Sequence, residues 1–167
     1  MSDYKSRVEK AIEELRQGRF VIVCDDHSRE NEGDLVAAAE YMTPELVNFA
    51  IAQGRGLLCQ AIDEKTASYL GLPMMSPVNN SMFSTAFTVS VDHCDAGTGI
   101  AAPARSLTIR TIGEAAGYAQ NFRPSEAGKR ADICKKLLRP GHIFPLIAMP
   151  GGVLQRSGQT EATVDLM

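Results

Sequence analysis

A chain of 167 residues is long enough for one domain with a real core and short of what two would need. With 17 basic and 20 acidic residues its net charge is −3, and 44% of it is hydrophobic, the profile of a soluble globular protein. No basic face is implied, which argues against nucleic acid or an anionic membrane as partner. Cys24, Cys59, Cys94 and Cys134 are scattered, with no C-x-x-C pair. That pattern supports neither a disulfide framework nor a zinc site, and Cys24 and Cys59 read as small buried hydrophobes. The first residues, Met-Ser-Asp-Tyr-Lys-Ser-Arg, carry no apolar signal region, and no apolar stretch is long enough to span a bilayer. The expectation is a cytoplasmic protein.

Ser6 and Glu9 stand at capping-box spacing, and Val8, Ala11, Ile12 and Leu15 follow helical periodicity, predicting a helix over 6–17 closed by Gly18. Apolar runs at 20–24 and 35–40 read as strands. Thr43-Pro44-Glu45 is a helix start, with Gly54 as its stop. A strand at 57–62 leads into a short helix, Asp63 to Tyr69. Residues 71–85 hold two prolines beside Met74, Met75, Val78 and Phe83, and predict a long loop packed on something. The run 86–92 alternates and predicts a strand. After a turn at Gly97-Thr98-Gly99, a helix is expected over 106–116 and a mobile surface segment over 117–130. A helix weakened by Gly128 is expected over 125–138. Residues 143–149 are strand-like, and Pro145 places that strand at an edge or bulge. Gly151-Gly152 turns the chain toward a final helix, 162–167, capped by Thr160-Glu161. Such alternation fits a single α/β domain of the α+β type, with a mixed twisted sheet flanked by helices in three layers.

The densest chemistry lies in Asp25-Asp26-His27-Ser28-Arg29-Glu30-Asn31-Glu32-Gly33-Asp34. Crowded carboxylates between two apolar runs repel one another unless a cation, a cationic substrate or a set of donors offsets them. A solvated turn is the plainer alternative. The mixed Arg-Glu-Asn-Glu-Gly-Asp sequence favours a metal or sugar site. His27 and His93 lack partners at ligand spacing and read as surface residues.

This acidic stretch resembles the signature of the 3,4-dihydroxy-2-butanone-4-phosphate synthases of riboflavin biosynthesis. The likeness extends, in the family's order, through Gly71-Leu72-Pro73-Met74-Met75, Thr85 to Val89, Arg139 to Leu146, and Gly151 to Ala162. It implies that family's fold and its reaction, in which ribulose 5-phosphate yields a four-carbon ketone phosphate and formate. It also implies a magnesium or manganese cofactor and a homodimer with sites near the interface. Glu30 would be a metal ligand. Arg29, Glu32, Asp34, Cys59 and His142 would be catalytic. Thr85, Arg105, Arg156, Gly158 and Thr160 would bind substrate together with Arg29 and Asp34, the phosphate falling to Arg156 and Thr160.

Three departures from the family pattern stand out. Gln159 occupies the place of a metal-binding histidine; its amide oxygen can ligate magnesium but exchanges no proton. Ala104 stands where an aspartate would precede Arg105. A further strand and helix, with a glutamate reaching the site, would follow the position of Met167. Residues 1–167 are thus expected to form one domain without that segment. Besides the family lyase, two other readings stand: a diverged dehydratase or isomerase acting on another small polar substrate, and a non-catalytic binding or partner protein.

Overall fold

The structure is a computed structural model that describes residues 2–167, so that only Met1 of the N-terminal stretch lies outside it. Helix α1, Ser2–Arg16, begins before the expected capping box, and Ser6 lies inside it. Its apolar stripe is engaged only toward the C-terminal end: Leu15 is buried, whereas Val8 is half exposed. Gly18, at φ +70°, turns the chain into β1, Val21–Cys24. This strand pairs antiparallel with β2, Gly33–Val36, placing Val21 opposite Val36 and Cys24 opposite Gly33. The acidic stretch connects the two. The second strand is therefore shifted from the expected 35–40, since residues 39–41 close into a 3₁₀ turn. Strand alternation sends Cys24 outward on the same face as Ile22, so Cys24 is exposed and not a buried hydrophobe.

Helix α2, Pro44–Phe49, starts as its sequence dictates, with Pro44 in the first turn and Thr43 Oγ1 accepting from the Leu46 amide at 3.4 Å. It continues through a π-type turn, Ala50–Gly54, and ends on Arg55 in the left-handed region. Strand β3, Cys59–Ile62, is followed by α3, Glu64–Leu70, which Asp63 caps through the Thr66 amide at 2.8 Å. Residues 86–92 form less regular strand than their alternation predicts. Only Val91–His93 is a strand, β4, while Thr88 and Phe87 make isolated bridges to Met74 and Leu146. Pro145 supplies one reason: its carbonyl accepts from the Thr88 amide at 3.0 Å, but it has no N–H to return.

Helix α4, Ala102–Ala119, begins four residues before expectation. The supposedly mobile 117–130 segment is largely helical, comprising the end of α4, a 3₁₀ turn at Pro124–Glu126 and the start of α5, Ala127–Lys135. Strand β5, Leu137–Ile147, is the long central strand of a three-stranded sheet ordered β3-β5-β4, parallel to β3 and antiparallel to β4. Of the two positions expected for Pro145, edge or bulge, the edge does not hold, since β5 is the middle strand, although its pairing with β4 is irregular between Val91 and Asp92. The Pro145 carbonyl still serves the sheet, and its ring is fully buried. Helix α6, Gln159–Leu166, starts ahead of Thr160-Glu161, with Gly158 at the N-cap.

The α/β class is as expected, with the β1-β2 ribbon separate from the mixed three-stranded sheet. Ile109, Ile112 and Ala115 of α4 pack with Val47, Leu70, Val91 and Ile143 in the main core. Burying each large aliphatic side chain there contributes roughly 1.5–3 kcal/mol. Gly113 lets α4 approach the 39–41 turn, where an added Cβ would meet that of Ala39 at 3.0 Å. His93 is buried, not a surface residue: its amide donates to Thr108 Oγ1 at 2.9 Å and its Nδ1 accepts from the Asp95 amide at 3.1 Å. Among the described residues, no helix is long and apolar enough to cross a membrane.

Candidate active site

The acidic stretch folds around Asp25, whose side chain is 1% exposed. Its Oδ2 accepts from the Glu30 amide and from Arg29 Nη1, each at 2.8 Å, and its Oδ1 accepts from the Glu32 amide at 3.0 Å. Burial works against the charge, but the Glu32 and Glu30 amides and the Arg29 guanidinium outweigh it and bring the carboxyl to about 2. Asp25 was not among the expected site residues. It organises the loop that presents them.

Arg29 is the hub. Its Nη2 lies 2.9 Å from Glu30 Oε1, and its Nη1 donates to Gln159 Oε1 at 3.0 Å across 130 positions of sequence. Its guanidinium also lies over the Phe83 ring, 5.2 Å from the centroid. The Phe83 carbonyl accepts from Arg156 Nη2 at 3.0 Å, so the 71–85 loop is pinned between two arginines. Arg156 Nη1 in turn bonds Glu161 Oε2 at 2.6 Å, and Glu161 Oε1 accepts from the Met149 amide at 2.9 Å. The buried Glu161 is thus an anchor for the start of α6, and a Cβ at Gly158 would force the ends of the Arg156 and Glu161 side chains to shift.

Glu32, Asp34, Cys59, Gln159 and Thr160 line one cavity of about 480 Å³. The structure therefore gathers the β2 end of the acidic loop, the first residue of β3 and the start of α6. Burial and the neighbouring charges of Glu32, Glu30 and Asp25 raise the Asp34 carboxyl above its ordinary range. Burial, with the Asp34 charge, pushes the Cys59 thiol up to about 11. Near neutral pH Cys59 is a protonated thiol, suited to lining a pocket and unsuited to nucleophilic attack.

Other expected residues stand outside this group. Among the described residues, no hydrogen bond or ion pair ties His142, Thr85 or Arg105 to the acidic loop. The Thr85 carbonyl accepts from Asn79 Nδ2 at 2.9 Å, and Arg105 Nε is buried without a partner among the described residues. His142 has its own orienting group, which the sequence did not reveal. Asp92 Oδ1 accepts from the His142 amide at 2.9 Å, and Oδ2 lies 2.7 Å from its Nδ1. With Nδ1–H directed at the carboxylate, Nε2 is the nitrogen left to exchange a proton. Gly99, at φ +79°, makes room for this pair, since a Cβ there would overlap both Asp92 and His142. Gly141 fits against the β4 backbone at the register shift between Val91 and Asp92, where no side chain could stand. A lone aspartate at the end of an alternating run gives no local sign of a histidine partner 50 positions away.

Glu30 and Gln159, the expected metal ligands, both supply oxygen, the donor that a hard divalent cation prefers. Their oxygens also converge on one positive charge, the Arg29 guanidinium. Donor type fits a partly hydrated magnesium or manganese ion, and the position between the two oxygens is held by Arg29.

The 3,4-dihydroxy-2-butanone 4-phosphate synthase family model matches residues 9–167. The riboflavin biosynthesis protein RibBA of Bacillus mycoides is 50% identical over 160 residues, covering 96% of this chain. A Bacillus cereus RibBA is 52% identical over the same length. The chain spans 36% of the length of these relatives. Among solved structures, a 3,4-dihydroxy-2-butanone 4-phosphate synthase in complex with two magnesium ions superposes with a TM-score of 0.80 at 39% identity, over 95% of this chain and 68% of that one. The two-domain synthase RibBX of A. baumannii gives 0.79 at 38%, over 95% of this chain and 43% of that one. The chain belongs to the 3,4-dihydroxy-2-butanone 4-phosphate synthase family.

Proposed function

We propose that this chain converts ribulose 5-phosphate into 3,4-dihydroxy-2-butanone 4-phosphate and formate, with residues 1–167 working as one domain of a cytoplasmic homodimer. The observation that carries the reading is the gathering of Glu32, Asp34, Cys59 and Thr160 around one cavity whose wall includes Gln159, itself bonded to Arg29. Family membership supports it, and favours neither a different substrate nor a non-catalytic role.

The reaction needs enolisation, dehydration, a skeletal shift and carbon–carbon cleavage, hence groups that hold and return protons. Asp34 suits this because its raised carboxyl keeps a proton to higher pH than an ordinary aspartate. Glu32 is a second carboxylate beside it, and Arg29 brings a fixed positive charge for sugar oxygens. Cys59 holds a neutral thiol against the sugar and contributes shape and a weak hydrogen-bond donor. His142, set by Asp92, offers Nε2 for a further transfer. Arg156, Gly158 and Thr160 surround the first turn of α6, where unpaired amides suit a phosphate; Thr85 and Arg105 would complete the substrate contacts. A magnesium or manganese ion, held through Glu30 and Gln159, would polarise the sugar carbonyl and stabilise enediolate charge.

The test is formate release from ribulose 5-phosphate with magnesium, followed by a coupled assay. Metal-dependent turnover is expected, and Asp34→Asn should lower it by roughly 10²–10⁴-fold. Folded protein that releases no formate would overturn the reading.

A further inference from the structure

We propose that Arg29 is an internal competitor of the divalent cation: its guanidinium closes the Glu30–Gln159 pair, and cation binding requires Arg29 to let go. The inference rests on the metal-dependent reading above and concerns what governs cation occupancy in this chain.

Three observations lead to it. First, one carboxylate oxygen of Glu30 and the amide oxygen of Gln159 are engaged by the same group, Glu30 Oε1 by Nη2 at 2.9 Å and Gln159 Oε1 by Nη1 at 3.0 Å. A divalent ion on those two oxygens would sit against a like charge, and the repulsion sets the ion and the guanidinium against one another. Second, a guanidinium has donors only, so the Gln159 amide must turn its oxygen to Arg29 and its nitrogen away. That nitrogen is then buried with no partner among the described residues, in a residue only 6% exposed. An orphaned buried donor marks an arrangement satisfied at one end only. The oxygen is thus already turned the way a cation would need it, so exchanging Arg29 for the ion calls for no amide flip. Third, Arg29 keeps an anchorage when it releases the pair. Asp25 Oδ2 holds Nη1 at 2.8 Å, and the Phe83 ring lies under the guanidinium. Release therefore exchanges two contacts without setting a charged side chain adrift in a half-closed site.

The proposal gives Gln159 a definite part. An amide oxygen is a good acceptor for a guanidinium and a neutral, weak ligand for a metal, so this side chain favours Arg29 in the contest. Imidazole, whose nitrogen is a stronger metal donor, would favour the cation. The coupling is reciprocal: whatever factor Arg29 removes from cation affinity, the cation removes from the Arg29–Glu30–Gln159 contacts.

The test uses the full chain and Mn²⁺ as probe, with free Mn²⁺ counted by electron paramagnetic resonance and no turnover involved. Arg29→Gln should bind Mn²⁺ about tenfold more tightly than wild type, within the usual range of such couplings. Arg29→Lys keeps the charge near Asp25 but lacks the planar fork that spans both oxygens, and should tighten binding several-fold; it decides the matter if Arg29→Gln fails to fold. Gln159→His should also tighten binding, and replacing Arg29 in that background should gain less than it does beside glutamine. Equal or weaker binding by folded Arg29 variants would overturn the competition, whereas formate release by the wild-type protein tests the proposed function separately. If wild type and all variants bind no Mn²⁺, the metal-dependent reading fails, and the competition with it.

Discussion

The acidic loop and the His142 pair solve the same problem, holding a reactive polar group in place, by opposite means. In the loop nearly every bond is local: Asp25 collects the amides of Glu30 and Glu32 and the guanidinium of Arg29, all within seven positions. The Gln159 hydrogen bond and the Phe83 ring against Arg29 come from afar. His142 is held by nothing local. Its partner Asp92 comes from another strand, and two glycines from separate segments, Gly99 and Gly141, clear the space. A locally wired site should survive distant changes and respond to its own charges. A site assembled across the sheet should depend on the packing that brings its parts together.

The largest effect is expected where the distant arrangement has one orienting bond. Asp92→Asn keeps the shape but removes the carboxylate that fixes His142, and formate release should fall about 100-fold, about 2.7 kcal/mol. Far-UV circular dichroism should not change, and kcat should carry the loss. A normal kcat would show that His142 needs no orientation. Next, Gly141→Ala drives a Cβ into the β4 backbone and should destabilise the fold by about 2 kcal/mol, read as a lower urea midpoint. The same substitution at Gly128, which has open space around it, should lack that penalty.

The smallest effect concerns the loop and its own charge. Because Asp25 titrates at about 2 when folded, below an unfolded aspartate near 4, its stabilisation is complete above about pH 4 and is lost as pH falls toward 2. A stability profile over that window should lose this step in Asp25→Asn. If wild type and variant lose stability in parallel, Asp25 is not the group that holds the loop.

The same contrast explains what could be read in advance. Asp25 to Asp34 announced a polar site because the crowded charges lie within ten consecutive residues, and their mutual compensation is largely a matter of short-range geometry. Thr43-Pro44 and Asp63 announced helix starts for the same reason, since a cap needs only the next three residues. The alternating 86–92 run misled, because ladder formation depends on the neighbour, and that neighbour carries Pro145. Pro145 misled in turn: a missing N–H suggests an edge, yet a central strand tolerates it where only the carbonyl is used. His93 and Cys24 exchanged places between surface and interior. Burial follows from which face a strand turns to the core, and polarity alone does not fix that choice.

By itself the sequence determined the α/β class, most element positions, the acidic loop and the resemblance that led to the family. Those follow from periodicity, capping and local charge, which act over a few residues. Only the tertiary structure joined Gln159 to Arg29, Asp92 to His142 and Phe83 to both Arg29 and Arg156. Each of these unions spans 50 or more positions, a reach that no local preference encodes and that packing of α4 and α6 against the strands brings about.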